Sequence, residues 1–160
     1  MSAPVRAEDK SVLRFDRVWV REATFIDADD LTDSISARDL EVEIRLEVRV
    51  TLADSGQRAF VLLRAVVEPP KDVRAFSRLA ASVEGSFTIA ETETPRLAEF
   101  AHQQAPVLLL PYLRSAITDL TALSRFGPII IPPLNMMGVV SRMAELARSA
   151  EHSGSRERRG

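Results

Sequence analysis

The sequence predicts an α+β domain in which a four-stranded antiparallel sheet is followed by two to three helices. Three observations carry that reading. Residues 40–52 alternate apolar and polar side chains without a fault, the pattern of a strand with one buried and one wet face. Three further stretches within residues 14–90 are rich in β-branched and aromatic side chains or alternate in the same way, with turn residues between them. Helical apolar spacing begins only after Thr94-Pro95, so strands are segregated from helices, as in an α+β fold built on an antiparallel sheet.

Taken in order, residues 1–13 read as a flexible polar lead-in and residues 14–150 as the single folded domain. The first strand is RFDRVWVREATFI, residues 14–26. A polar linker, 27–39, follows with Leu31 and Ile35 as its apolar anchors. In the second strand Leu40, Val42, Ile44, Leu46, Val48, Val50 and Leu52 point one way, and Glu41, Glu43, Arg45, Glu47, Arg49 and Thr51 the other. Asp54-Ser55-Gly56 supplies a turn. The third strand covers 58–68, with Ala59, Val61, Leu63, Ala65 and Val67 on one face. After the turn at Pro69-Pro70-Lys71-Asp72, residues 73–90 make the fourth, with Leu79, Ala81, Val83, Phe87 and Ile89 in step. Gly85 inside it predicts a bulge or bend. The four strands are read in hairpin succession.

A short helix spans 95–103, with Leu97 and Phe100 as its apolar side. The next is organised by Leu113, Ala116, Ile117, Leu120 and Leu123, at steps of three and four. Pro111 fits its first turn, where a missing N–H costs nothing, and Gly127-Pro128 stops it. Ile129-Ile130-Ile131-Pro132-Pro133-Leu134 is too proline-rich for a central strand and too apolar for an ordinary solvated loop. Asn135 caps a last helix, 135–150, whose stripe is Met136, Val139, Val140, Met143, Leu146 and Ala147. Residues 151–160 are polar and read as a disordered tail.

Composition narrows the function. The 160 residues suit one domain with a sizeable core. A formal net charge of −2 gives no strong pull toward nucleic acid or membrane, and the three arginines of the tail, Arg156, Arg158 and Arg159, are a weak signal for either. No cysteine is present, which excludes disulfides, thiolate ligands and cysteine nucleophiles and fits a reducing compartment. The N-terminus lacks the long apolar core of a secretory signal, and the apolar run 107–113 is far below the roughly 20 residues of a spanning helix. The expectation is a cytoplasmic protein with no direct membrane insertion and no nucleic-acid partner. His102 and His152 lack metal-ligand spacing, and there is no glycine-rich phosphate loop, HExxH or triad order. Glu91 and Glu93 at a strand end read as solvated turn residues. No catalytic set, metal or cofactor is expected, so the chain is read as a non-enzyme.

The order of elements and four stretches together resemble the SecB family of export chaperones. They are RVWVREATF (17–25), EGSFTIAE (84–91), LLLPYLRSAITDL (108–120) and RFGPIIIPPLNMMGVV (125–140), within a match covering residues 15–147. The resemblance implies a homotetramer, a dimer of dimers with long helices sandwiched between two large antiparallel sheets. It implies a holdase that binds unfolded or precursor polypeptides without ATP, in apolar surface grooves. The family's usual role is delivery of precursors to the SecA motor; some relatives guard a dedicated partner such as an antitoxin instead.

Grooves of this kind suit unfolded clients, because burial is non-directional and each apolar side chain contributes about 1.5–3 kcal/mol before ordering costs. The client-binding candidates are Trp19 and Phe25 on the first strand, Leu31 and Ile35 in the linker, and Phe126, Ile129, Ile130, Ile131 and Leu134 around the apolar loop. Glu22 matches an acidic position with which the family meets SecA, whereas Ile26, Arg78 and Ala80 do not match the other contact positions. In SecA-contacting relatives the tail often carries Cys and His for zinc, whereas here residues 153–160 have no Cys and a basic balance. The alternating Glu and Arg side chains of residues 41–49 read as a solvated sheet face with cross-strand ion pairs.

Overall fold

The computed structural model describes residues 13–28, 41–69, 76–89 and 94–157. Residues 1–12 and most of the linker, with Leu31 and Ile35, lie outside the described residues, as do Glu91 and Glu93. Four strands, β1 (Arg14–Asp27), β2 (Glu43–Ala53), β3 (Arg58–Glu68) and β4 (Phe76–Thr88), precede three helices, α1 (Thr94–Gln103), α2 (Ala105–Thr121) and α3 (Met136–Glu157). The fold is α+β with a four-stranded antiparallel sheet, as the sequence predicts.

The strand order is β1-β4-β3-β2, not simple hairpin succession. β2, β3 and β4 form a meander, and β1 crosses to the far edge to pair with β4. A turn at Asp54–Gly56 joins β2 to β3, with Asp54, Ser55 and Gly56 all at positive φ. Asp and Gly tolerate that left-handed region, which is why this tripeptide makes the turn.

One face of the sheet is covered by helices, with α2 over β4, β1 and β3, and α1 over β3 and β2. On β3 the inward set Ala59, Val61, Leu63, Ala65 and Val67 is at most 2% exposed. The matching set on β2, Ile44 to Val50, is only half-buried, because β2 is an edge strand. From β4 come Leu79, Ala81, Val83 and Phe87, and from the helices Leu97, Leu109, Leu113 and Ile117, all essentially inaccessible.

Gly85 marks neither a bulge nor a register shift: its pairing with Val18 on one side and Val61 on the other is regular. Its bare Cα instead admits α2, since a Cβ there would lie 2.7 Å from Leu109 Cδ2. Two bulges lie in β1, where Asp16 and Arg21 are unpaired opposite consecutive residues of β4, and a third irregularity, between Ile26 and Asp27, leaves Ser77 of β4 without a register partner. They make the faces of β1 uneven in sequence. Phe15, Val18, Val20, Ala23 and Phe25 share the helix side, and Arg14, Arg17, Trp19, Glu22 and Thr24 the outer side.

Pro111 does not begin a helix; it lies inside α2, which starts six residues earlier with Pro106 in the first turn. Both Pro111 and Val107, whose carbonyl loses its helical partner, are exposed, so water can solvate the break. The helix also ends at Thr121, six residues before Gly127, and leaves Leu123 99% exposed instead of on the apolar face. Asn135 does cap α3, its Oδ1 accepting from the Gly138 N–H at 3.1 Å. α3 extends to Glu157, beyond the expected end at Ala150 and into the segment read as tail.

Candidate functional site

The apolar loop after α2 is fastened from below and open above. The Thr121 hydroxyl donates to the Ile117 carbonyl at 2.8 Å and accepts from the Ile129 N–H at 2.8 Å. Ser124 closes a turn with Gly127, donating from its hydroxyl and accepting at its carbonyl, both at 3.0 Å. Gly127 sits at φ +79°, which glycine adopts without steric cost. From this base Phe126, Ile129 and Ile131 turn into the core, while Ile130 between them stands 66% exposed. Leu134 is half-buried against the same core.

The end of β1 lies beside this loop. Arg125 donates from Nε to Asp27 at 3.0 Å and stacks over the Phe126 ring at 4.5 Å. Phe25, two residues before Asp27, is half-buried on the helix side and packs near Phe76, ring centroids 6.0 Å apart. Phe25, Ile130 and Leu134 are thus the candidates that keep apolar surface toward solvent on the helix side, and Phe126, Ile129 and Ile131 support them from within the core. Trp19 is not among them. Register sets it opposite Glu84, on the face away from the helices, where it meets Phe60 edge-on at 6.5 Å. The bulge at Arg21 separates its side of the strand from that of Phe25, a shift no period-two reading of β1 reveals.

A second apolar surface escaped the sequence reading. Val107, Leu108 and Tyr112 on α2 are 36–45% exposed, and Phe15 on β1 meets Tyr112 edge-on at 6.0 Å while stacking on Phe87 at 4.8 Å. Its signal was the continuous run 106–113, in which a helix carries apolar residues around most of its circumference.

The outer sheet face carries many charged side chains, most of them paired with one another. Glu22 accepts from Arg64 Nε at 2.8 Å, and Arg78 and Glu47 lie close to that pair. The hydrogen bond from Arg64 holds the Glu22 carboxyl below its ordinary range, with burial opposing it, and raises the Arg64 guanidinium in turn. Arg45 pairs with Glu43 and Glu68, Arg49 with Glu47, and Arg21 with Glu84. Glu22, Ile26, Arg78 and Ala80 come together on this face, with Ile26 opposite Arg78 and Thr24 opposite Ala80. Among the described residues no group of three or more His, Asp or Glu is placed to hold a metal ion. No helix among them is long and apolar enough to cross a membrane.

The model of the family described as preprotein translocase subunit SecB matches residues 6–145. The chain belongs to the SecB family. Among its relatives are the protein-export protein SecB of Stenotrophomonas maltophilia, 25% identical over 96% of this chain and 87% of that one, and an uncharacterised protein of Methanocaldococcus jannaschii, 26% identical over 89% and 91%. A solved structure of the Mycobacterium tuberculosis SecB-like chaperone, in complex with a ChAD peptide from the HigA1 antitoxin, shares the fold. Its TM-score is 0.59 at 16% identity, covering 77% of this chain and 91% of that one. The role of the chain is accordingly that of a SecB-type holdase chaperone.

Proposed function

We propose that this SecB-family chain holds non-native polypeptides, without ATP, against the apolar surface formed by Phe25, Ile130 and Leu134 over the Phe126–Ile129–Ile131 floor. The observation that carries the proposal is Ile130, 66% exposed at the crest of a loop whose neighbouring isoleucines are both buried. An isoleucine raised into solvent on an anchored backbone gains by contact with an apolar client segment. Leu31 and Ile35 remain candidates for the same surface. The proposed assembly is a cytoplasmic homotetramer, a dimer of dimers, in which Phe15, Val107, Leu108 and Tyr112 bury against further copies.

Precursor polypeptides for export are the first client class, in keeping with the export relatives. A dedicated client, such as an antitoxin, is the second, and one observation favours it: the Glu22 carboxylate is already engaged by Arg64, with Arg78 alongside, and so is less available to SecA. Two titrations test these readings. Anisotropy of a labelled, unfolded polypeptide should show binding that Ile130→Asp weakens about tenfold while assembly mass is unchanged. Loss of the assembly instead would make Ile130 an interface residue. Calorimetry against SecA at moderate salt decides the client class: micromolar or tighter binding supports export, and no heat at two temperatures supports the dedicated partner.

A further inference from the structure

The outer face of the sheet carries a cluster of cations that the client-binding surface does not use. The bulge at Asp16 creates it. Arg14 and Arg17 are three residues apart and would point to opposite faces of a regular strand, but the extra residue turns both outward. Register sets Arg14 beside Thr88 and Thr88 beside Arg58, with Arg17 beside Ser86 and Ser86 beside Phe60 in the next row. The bulge is pinned in place, since Asp16 accepts hydrogen bonds from the Thr88 hydroxyl at 3.1 Å and from the Ser86 hydroxyl at 3.5 Å. Between the rows lies a cavity of about 380 Å³, lined by Arg14, Arg17, Arg58, Phe60, Ser86 and Thr88, together with Asp16.

The charges here differ from those on the rest of the face. Arg21, Arg45, Arg49, Arg64 and Arg78 each have a carboxylate within 4 Å, and Arg58 has Asp54 at 3.2 Å. Among the described residues, Arg14 and Arg17 have no carboxylate partner at that distance. Arg17 is instead set over the ring of Trp19, 5.0 Å from its centroid, which orients the guanidinium without neutralising it.

We propose that Arg14 and Arg17, pre-set by the Asp16 bulge, form a clamp for an extended acidic polypeptide segment with carboxylates at alternate positions. Adjacent rows of a sheet face are about 7 Å apart, the spacing of residues i and i+2 in an extended chain. Each guanidinium then meets one carboxylate in the fork geometry that suits this pair, and the Trp19–Phe60 edge flanks the chain with apolar surface. The clamp lies on the face opposite Ile130 and does not rest on the groove.

Trp19, the only tryptophan of the chain, reports on the clamp directly. The probe is a decapeptide of alternating Glu and Ser, which offers no apolar side chain to the groove. It should change Trp19 fluorescence saturably, weaken as salt rises, and bind an Arg14→Gln/Arg17→Gln protein at least about tenfold less tightly. Circular dichroism establishes that this variant is folded, and Arg45→Gln, whose partners are Glu43 and Glu68, should leave binding unchanged. Equal binding to wild type and double variant overturns the proposal, as does equal binding of a Lys/Ser decapeptide. Displacement of the peptide by inorganic phosphate, beyond the effect of sodium chloride at equal ionic strength, overturns it in favour of a small-anion site. None of these outcomes bears on the binding of apolar clients.

Discussion

At the scale of single residues, two polar side chains do specific and separable work. Thr121 is fully buried at the end of α2, and its one hydroxyl both donates to Ile117 and accepts from Ile129. Thr121→Val keeps the shape and removes that acceptor, leaving the Ile129 N–H unsatisfied. Urea denaturation should show a loss of about 1–3 kcal/mol, with faster amide exchange at Ile129 than elsewhere in the core. Glu22 is engaged on the opposite face. Because the hydrogen bond from Arg64 lowers its folded pKa, its stabilising contribution is present above the unfolded carboxyl value and is lost as pH falls through the folded one. Glu22→Gln should therefore be less stable than wild type at neutral pH, and the gap should close in acid, once the folded-state carboxyl is protonated. The effect is small, because both partners remain partly in water. A gap that persisted in acid would show that packing, not charge, sets the role of Glu22.

At the scale of elements, legibility followed periodicity. β3 was read at its observed bounds, 58–68, and the two faces of β2 were assigned correctly, because both strands keep an unbroken alternation. β1 keeps none: bulges at Asp16 and Arg21 shift its phase twice, so Trp19 and Phe25 could be recognised as strand residues but not separated by face. The same bulges hid the clamp, since Arg14 and Arg17 look like opposite-face residues until their register is known. Pro111 and Gly127 misled for a different reason. Each has a strong local preference, but α2 keeps a proline in its interior where its surface is open to water, and it stops early because Thr121 supplies the next segment with a partner. Within the loop, alternation of burial was not readable from three identical side chains, yet it makes a sharp expectation. Ile129 is 3% exposed and Ile130 66%, so Ile129→Asp should cost more than about 3 kcal/mol in urea and Ile130→Asp less than about 0.5 kcal/mol. Similar losses at both positions would contradict the account of the loop as a fixed crest.

At the scale of the whole molecule, the fold class, the order of strands before helices and the family were all legible, because each depends on the pattern of a long stretch. The crossing of β1 to the far side of β4 was not, since nothing in the local sequence of a strand names its neighbour. Nor were the exposed α2 residues separable from buried ones within an apolar run. The proposed picture is a sheet with two uses: a helix side whose loop crest would meet apolar client segments, and an outer side whose arginines, among the described residues, are paired with carboxylates except at the Arg14–Arg17 end. The central claim is the first of these. The measurement that tests it most directly is light scattering by a denaturant-unfolded protein diluted into the purified chain without nucleotide. Wild type should suppress aggregation near stoichiometry, and Ile130→Asp, at unchanged assembly mass and circular dichroism, should suppress it poorly. Full suppression by Ile130→Asp would contradict the placement of the client surface on the loop crest, and no suppression by wild type would contradict the holdase account itself.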